Sequence, residues 1–348
     1  MSARKEYKRI LVIQWGGLGE AALSSALFED LHRAYPNAEL HLHINHAWLP
    51  LFQGDGRFTA VYSQPNGCFS KLAAVLAWRN LLAKQSFDLV IDLSDSLASR
   101  WYIAVGRGLG LLPEAVGMRE GFPFTLACGP NYPKVHRYTC LQAPFMALNL
   151  PHKTGLATFD VPAAEQQAAV DLLSAHSVSP GRFVVMVPGS ATANKHKRWS
   201  VKDYARLAHL LLARKASKVV ILGSSDEREV CQQLALAIGE DAVNLCEQTT
   251  LAMIPCIAAR AFATVSNSTG LAHIISAAGT PLWVIFGKDV AERDRPLGSH
   301  VRSIQVEPHL FNRLPASQAM ESLPAERVAQ QISESLFGDE APLYPAWV

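Results

Sequence analysis

Three short segments place acidic, cationic and hydroxyl side chains where a strand gives way to a helix. The first is Trp15-Gly16-Gly17-Leu18-Gly19-Glu20. Its glycines permit a tight turn and let a ligand come close to the backbone, in particular Gly17 and Gly19. Glu20 then offers a carboxylate at a helix start, where it complements the helix dipole. The G-G-x-G-E spacing is not the G-x-G-x-x-G of dinucleotide-binding turns. The second segment, residues 188–199, supplies Gly189, Ser190 and Thr192, then Lys195, Lys197 and Arg198 around His196, with no acid before Asp203. Donors followed by cations suit a diphosphate, although charge runs are also ordinary solvated loops. The third segment, residues 266–273, holds Asn267, Ser268, Thr269, Gly270 and His273. Its polar side chains can cap the next helix, whose first N–H groups can also face a phosphate.

Two other groups are weaker. Asp92 and Asp95 look like a metal-binding pair but fall where a strand ends and a helix needs a cap. His41, His43 and His46 alternate, with His41 and His43 on one strand face and no acidic partner at a suitable spacing. No metal site is expected.

The three segments need elements to hold them, and the chain alternates short apolar runs with helical periods. Residues 9–13 read as a buried strand, 20–34 as a helix, 69–84 as a helix and 87–92 as a strand. The pattern restarts after residue 160, with strands at 182–187, 218–222, 242–245, 261–266 and 281–286. Helices at 201–213, 226–238, 251–260 and 270–278 alternate with them, and 324–336 closes the chain. Continuous apolar strands between helices predict parallel sheets covered on both faces. The expected organisation is a Rossmann-like domain over 1–160, another over 161–325 and a terminal helix and tail over 326–348. That helix and tail are expected to pack back on the N-terminal domain. Pro151 and Pro162 mark a linker near 149–164, and ligands are expected in the cleft where the two domains face each other.

With 348 residues, 49% of them hydrophobic and 18% charged, the chain is long enough for two cores and too apolar for disorder. Lys and Arg number 32 against 30 Asp and Glu, and the excess is only 14 over 11 before residue 151. Binding to nucleic acid through its phosphates is not expected. The six cysteines form no C-x-x-C pair and read as buried small hydrophobes of a reducing compartment. Arg4, Lys5, Lys8 and Arg9 precede an apolar run that breaks at Gln14, too early for a signal peptide. The longest other apolar stretch, 251–265, contains Pro255 and Arg260. A cytoplasmic protein is expected, with the basic start giving at most weak attraction to anionic lipid at the inner membrane.

Taken in order, the three segments resemble the heptosyltransferase family of GT-B glycosyltransferases. The opening matches through its small-small-Leu-Gly-acid loop and through Arg33, Tyr35 and Pro36. Residues 188–199 are similar to a PGS…KRW motif through Pro188, Gly189, Ser190, Lys197, Arg198 and Trp199. Asn267, Thr269, Gly270 and His273 are similar to N-D-S/T-G-x-x-H, and 323–332 resembles the family's closing helix. The resemblance implies a GT-B fold and an inverting, metal-independent transfer of heptose from an ADP-sugar co-substrate, with no cofactor. The implied acceptor is a lipopolysaccharide core or another surface glycan on the inner membrane face. It assigns Glu20 the base and Lys197, with Arg198 beside it, the leaving diphosphate. It gives Gly189, Ser190, Thr192, Ser268, Thr269, Gly270 and His273 the donor loops, Glu227 the ribose, and Thr249 and Thr250 the adenine pocket.

Four positions depart from the family pattern: Gly16-Gly17 stands for Ser-Ser, Glu20 for Asp, and Ser268 for Asp. A glutamate is one methylene longer, and misplacement by about an ångström can cost ~100-fold. These departures leave two alternatives open: a family member that binds without catalysing, and one that uses another nucleotide sugar or a protein acceptor.

Overall fold

A computed structural model describes residues 5–64, 72–126 and 135–337. The chain divides between Pro162 and Ala163 into two compact units. The first carries β1 (Arg9–Gln14), β2 (Glu39–Asn45), β3 (Ala60–Gln64), β4 (Leu89–Asp92) and β5 (Glu114–Val116), ordered β3-β2-β1-β4-β5. Every pairing is parallel, and Ile10 stands opposite Leu40 on one side and Leu89 on the other. Both faces are covered, so the apolar runs of β1 and β4 are wholly buried.

β2 breaks that pattern. Its alternation of Leu with His has the look of a half-exposed strand, yet His41 and His43 are both buried. Burial pushes His43 down to about 4, and its Nδ1 accepts the indole N–H of Trp15 at 2.9 Å. The neutral ring packs against Trp15, Trp78 and Tyr62. Among the described residues no three His, Cys, Asp or Glu come close enough to hold a metal ion.

The segment that follows residue 148 belongs to the first unit. Thr154 bonds Asp30 through its N–H and hydroxyl, at 3.1 and 2.9 Å. Thr158 N–H donates to the Ser25 hydroxyl, and Arg57 donates to the Thr158 hydroxyl at 2.7 Å. These bonds tie residues 154–158 down, so the division falls after them.

The second sheet contains β6 (Phe183–Val187), β7 (Lys218–Ile221), β8 (Ala242–Asn244), β9 (Ala263–Asn267), β10 (Leu282–Phe286) and β11 (Val301–Gln305). Their order is β11-β10-β9-β6-β7-β8, again all parallel. The Val201–Leu212 helix starts at Ser200, whose hydroxyl accepts the Asp203 N–H at 3.0 Å. It buries Tyr204, Leu207 and Leu211 in a core shared with Trp199 and Trp283.

The terminal helix, Ala325–Phe337, corrects one expectation. Val328, Ala329 and Ile332 lie in this second core, where the helix packs on Val201–Leu212 and Glu326 pairs with Arg206 at 3.0 Å. Amphipathic spacing required a buried face but did not choose the partner; the tail beyond it lies outside the described residues. The cysteines also need correction. Cys231 and Cys246 are buried, but Cys140 and Cys256 are only partly buried. Cys68 and Cys128 lie outside the described residues, as does the beginning of the helix read from residue 69.

Candidate active site

In doubly wound sheets the ligand crevice opens where strand order reverses, at the carboxyl ends of the strands. In the first unit that point lies between β1 and β4. The loop after β1 runs through Gly16 and Gly17 into the Leu18–Ala34 helix, and Glu20 occupies the first turn. Its Oε2 accepts the Gly17 N–H at 3.2 Å, and its Oε1 lies 3.4 Å from a guanidinium nitrogen of Arg137. The side chain stays about one-third exposed. Gly17 is exposed and Gly19 lies in the first helical turn.

A Cβ at Gly16 would sit 2.1 Å from Glu20 Oε2 and 2.8 Å from Gln14 Oε1, so any side chain there would displace the Glu20 carboxylate from this position. Gln14 is buried; it accepts the Gly16 N–H at 2.9 Å and donates to the Ser24 hydroxyl at 2.6 Å. From the β4 side, Ser94 accepts the Trp15 N–H at 2.7 Å. The loop is therefore held from three directions. Asp92, fully buried at the end of β4, accepts from Ser94 N–H and the Ser99 hydroxyl at 2.9 and 2.8 Å. The cap of the following helix is Ser96, which accepts the Ser99 N–H. Asp95 instead accepts the Arg119 Nε–H with both carboxylate oxygens, at 2.7 and 2.9 Å.

Asp92 gives a pH-dependent expectation. Burial raises its carboxyl from the ordinary 3.8 to about 6. The folded chain then binds a proton that the unfolded chain releases between those values. The neutral form's contribution is complete below 3.8 and lost as pH rises through 6, a change on the order of 3 kcal/mol. Asp92→Asn should flatten the decline in melting temperature between pH 4 and 7. An unaltered slope in the variant would contradict a buried, protonatable Asp92.

In the second unit the reversal lies between β6 and β9, and the two remaining motifs flank it. Asn267, buried at the end of β9, joins them. Its side-chain N–H groups donate to the carbonyls of Pro188 and Gly189 at 2.7 and 3.2 Å, and its Oδ1 accepts from Trp199 N–H and the Tyr204 hydroxyl at 3.1 and 3.2 Å. Within residues 188–199, Ser190 donates to the Asn194 carbonyl at 2.8 Å, and Arg198 donates to the Ser190 carbonyl at 2.5 Å. Arg198 thus braces the loop, while Lys195 and His196 are exposed. Thr192 opens a short 3-10 turn, and its side chain lies outside the described part.

Lys197 forms an ion pair with Asp289, on the loop after β10. Glu227 follows β7 and is buried; its Oε2 accepts from Ser224 N–H and hydroxyl at 2.7 and 3.1 Å. A Cβ on Gly189 would lie 2.4 Å from Glu227 Oε1, so glycine is needed there. Thr269 caps the Gly270–Ile275 helix by accepting the Leu271 N–H at 3.0 Å, which leaves its hydroxyl proton to donate. The Ser268 N–H bonds the Ile285 carbonyl, and His273 is half-buried within the helix. Thr249 and Thr250 follow β8. The Thr250 hydroxyl is engaged, donating to Glu165 at 2.7 Å and accepting the Met253 N–H at 3.2 Å.

The structure therefore brings Gly189, Ser190, Lys197, Arg198, Glu227, Thr249, Thr250, Ser268, Thr269 and Gly270 to one edge of one sheet. Sequence reasoning missed Arg137 and Asp289. Strand order offers the one usable signal, since the carboxyl-end loop after each strand adjoining a reversal is a candidate position. A cavity of about 1620 Å³ opens at the opposite end of the first sheet, lined by Lys5, Tyr7, Glu39, Asp88 and Glu114. There Lys5 and Tyr7 both bond Glu114 at 2.5 Å, and Arg9 pairs with Glu39. It holds none of the sequence candidates.

The family model for glycosyltransferase family 9 (heptosyltransferase) matches residues 75–313. The chain is 24% identical to the lipooligosaccharide heptosyltransferase 2 of Haemophilus ducreyi, with 94% of this chain and 99% of that protein covered. A glycosyl transferase family 9 structure from Veillonella parvula resembles it with a TM-score of 0.82 and 16% identity, covering 95% of this chain and 97% of the other. An Escherichia coli heptosyltransferase with ADP gives 0.71 and 17%, covering 94% and 99%. These likenesses show the fold, GT-B with two Rossmann-like domains.

Proposed function

The chain belongs to glycosyltransferase family 9, the heptosyltransferases, and from that premise we propose that it transfers heptose or a related sugar from an ADP-activated donor to a lipopolysaccharide core or similar surface glycan. The relative from Haemophilus ducreyi is named for lipooligosaccharide, and one similar structure holds ADP. The observation that carries this reading is the set of Lys197, Glu227, Thr249 and Thr269 on four loops at one edge of a single sheet. That edge offers a cation, a carboxylate and hydroxyls, which a nucleoside diphosphate requires.

In this reading the transfer inverts the anomeric centre and needs neither metal nor cofactor. Glu20 takes the proton from the acceptor hydroxyl as it attacks. Lys197 and the Thr269 hydroxyl, with the first N–H groups after it, stabilise the departing ADP. Glu227 accepts from the ribose hydroxyls beside Gly189, Thr249 and Thr250 border the adenine, and Ser268 and His273 line the donor sugar. Arg198 and Asn267 keep the loop in shape. Arg137 orients Glu20 and meets the acceptor. The reaction takes place at the cytoplasmic face of the inner membrane; among the described residues no helix is long and apolar enough to cross it.

Calorimetric titration tests the donor assignment. ADP is expected to bind at least about tenfold more tightly than UDP, a difference of about 1.4 kcal/mol. Equal affinity for the two, or none for either, would remove the adenine assignment. One observation favours the second reading, a protein that binds without catalysing: the Glu20 carboxylate is already engaged by Gly17 and Arg137.

A further inference from the structure

Ten large hydrophobic side chains stand exposed among the described residues, and five of them belong to one rim of the first unit. The Leu72–Gln85 and Leu97–Gly108 helices pack side by side on one sheet face. Trp78, Leu82, Tyr102 and Ile103 share a core there, and the Trp78 indole donates to the Tyr102 carbonyl at 2.9 Å. Each helix follows a strand, β3 or β4, so both begin at the carboxyl edge of the sheet. In their first two turns, where an outer face is ordinarily polar, they expose Leu72, Leu76, Leu97 and Trp101, the third of these 85% exposed. Phe122, on the loop after β5 and 69% exposed, joins them. Arg100 donates to the Phe122 carbonyl at 3.4 Å and Arg119 clamps Asp95, which together hold that loop against the start of the second helix.

The charges around this rim are of one prevailing sign. Arg79 and Arg100 lie nearest the helix starts, and neither helix contains an acidic residue; Lys84 and Arg107 belong to the last turns, away from the rim. The neighbouring loops add Arg119, with Asp95 and Glu120 as the acids, and Arg119 already covers Asp95. Aliphatic and aromatic side chains among cations match the boundary of an anionic bilayer. A second copy of the chain would set like charge against like charge. We propose that the rim formed by Leu72, Leu76, Leu97, Trp101 and Phe122 docks on an anionic phospholipid surface. It lies at the end of the sheet that carries Glu20. Docking therefore turns the candidate base toward the plane from which a glycolipid's sugars project, and this orientation rests on the transferase reading.

Vesicle sedimentation tests the proposal with neither nucleotide nor glycan present. The full chain should pellet with vesicles containing phosphatidylglycerol and far less with pure phosphatidylcholine. Leu97→Ser/Trp101→Ser/Phe122→Ser should lower the partition by about tenfold or more, and Arg79→Glu/Arg100→Glu should do the same on anionic vesicles alone. ADP affinity, read at the other sheet, should match the native protein in both variants, which establishes that they fold. The proposal is overturned if the native chain ignores phosphatidylglycerol or if the folded triple variant pellets like the native chain. It is also overturned if light scattering finds a dimer that the triple variant abolishes. Vesicle binding by a protein that fails to bind ADP would leave the docking face standing and remove the transferase reading alone.

Discussion

Glu20→Gln is expected to lower turnover by about 10²–10⁴-fold while leaving ADP affinity and melting temperature nearly unchanged. The amide keeps the length of the side chain and can still accept the Gly17 N–H, so the loop loses little. What disappears is the group that takes the acceptor's proton, equivalent to about 3–5 kcal/mol of transition-state stabilisation. If Glu20 serves only to cap its helix, the same change costs the ~0.3–1 kcal/mol of a charge–dipole contact and turnover does not move. The exposed pair with Arg137 adds at most about 1 kcal/mol to either outcome. Initial rates and melting curves on one preparation separate the two. Native turnover in Glu20→Gln would end the assignment of Glu20 as base and favour the reading of a protein that binds without catalysing.

The next largest effect is expected at Lys197. Lys197→Ala should weaken ADP by about 1.5–3 kcal/mol, the range for hydrogen bonds to charged groups, which is roughly 10–150-fold. Asp289 makes the prediction sharper, because its carboxylate holds the same ammonium. A diphosphate has to displace that carboxylate and then lies next to it. Asp289→Asn should therefore tighten ADP by a few-fold, opposite in sign to Lys197→Ala. If the pair is only a surface tie, both variants should alter ADP affinity little and shift stability alike by about 1 kcal/mol or less. Titrations of the two variants with ADP distinguish these cases through the sign of the change at Asp289.

Elements buried on both faces were the most legible. β6, β9 and β10 are five-residue apolar or small-residue runs bounded by loops, and a parallel sheet is the arrangement that covers such runs twice. β2 and β11 were harder, because His41, His43 and Arg302 interrupt the apolar signal. β2 tolerates its histidines because aromatic rings surround them and Trp15 supplies a hydrogen bond to His43. The three candidate segments were readable because each falls in a strand-to-helix turn. Arg137 and Asp289 were not, since each reaches its partner across about a hundred residues of chain and neither belongs to a motif. Glu227 was found by resemblance, but its burial against Gly189 follows from the packing of β6 beside β7. The terminal helix shows the same limit: spacing announces a buried face, and the surface that receives it depends on the whole fold.

The contact between Gly16 and Glu20 joins two departures from the family pattern that look independent along the chain. A side chain at position 16 and a glutamate at position 20 claim the same space, so the two positions are epistatic. The clash falls on the free end of a side chain that is about one-third exposed, so a Cβ at 16 would evict the carboxylate from the Gly17 N–H and leave the loop itself standing. Glycine at 16 thereby sets where the longer acid rests, and the effect of a change at either position depends on the residue at the other.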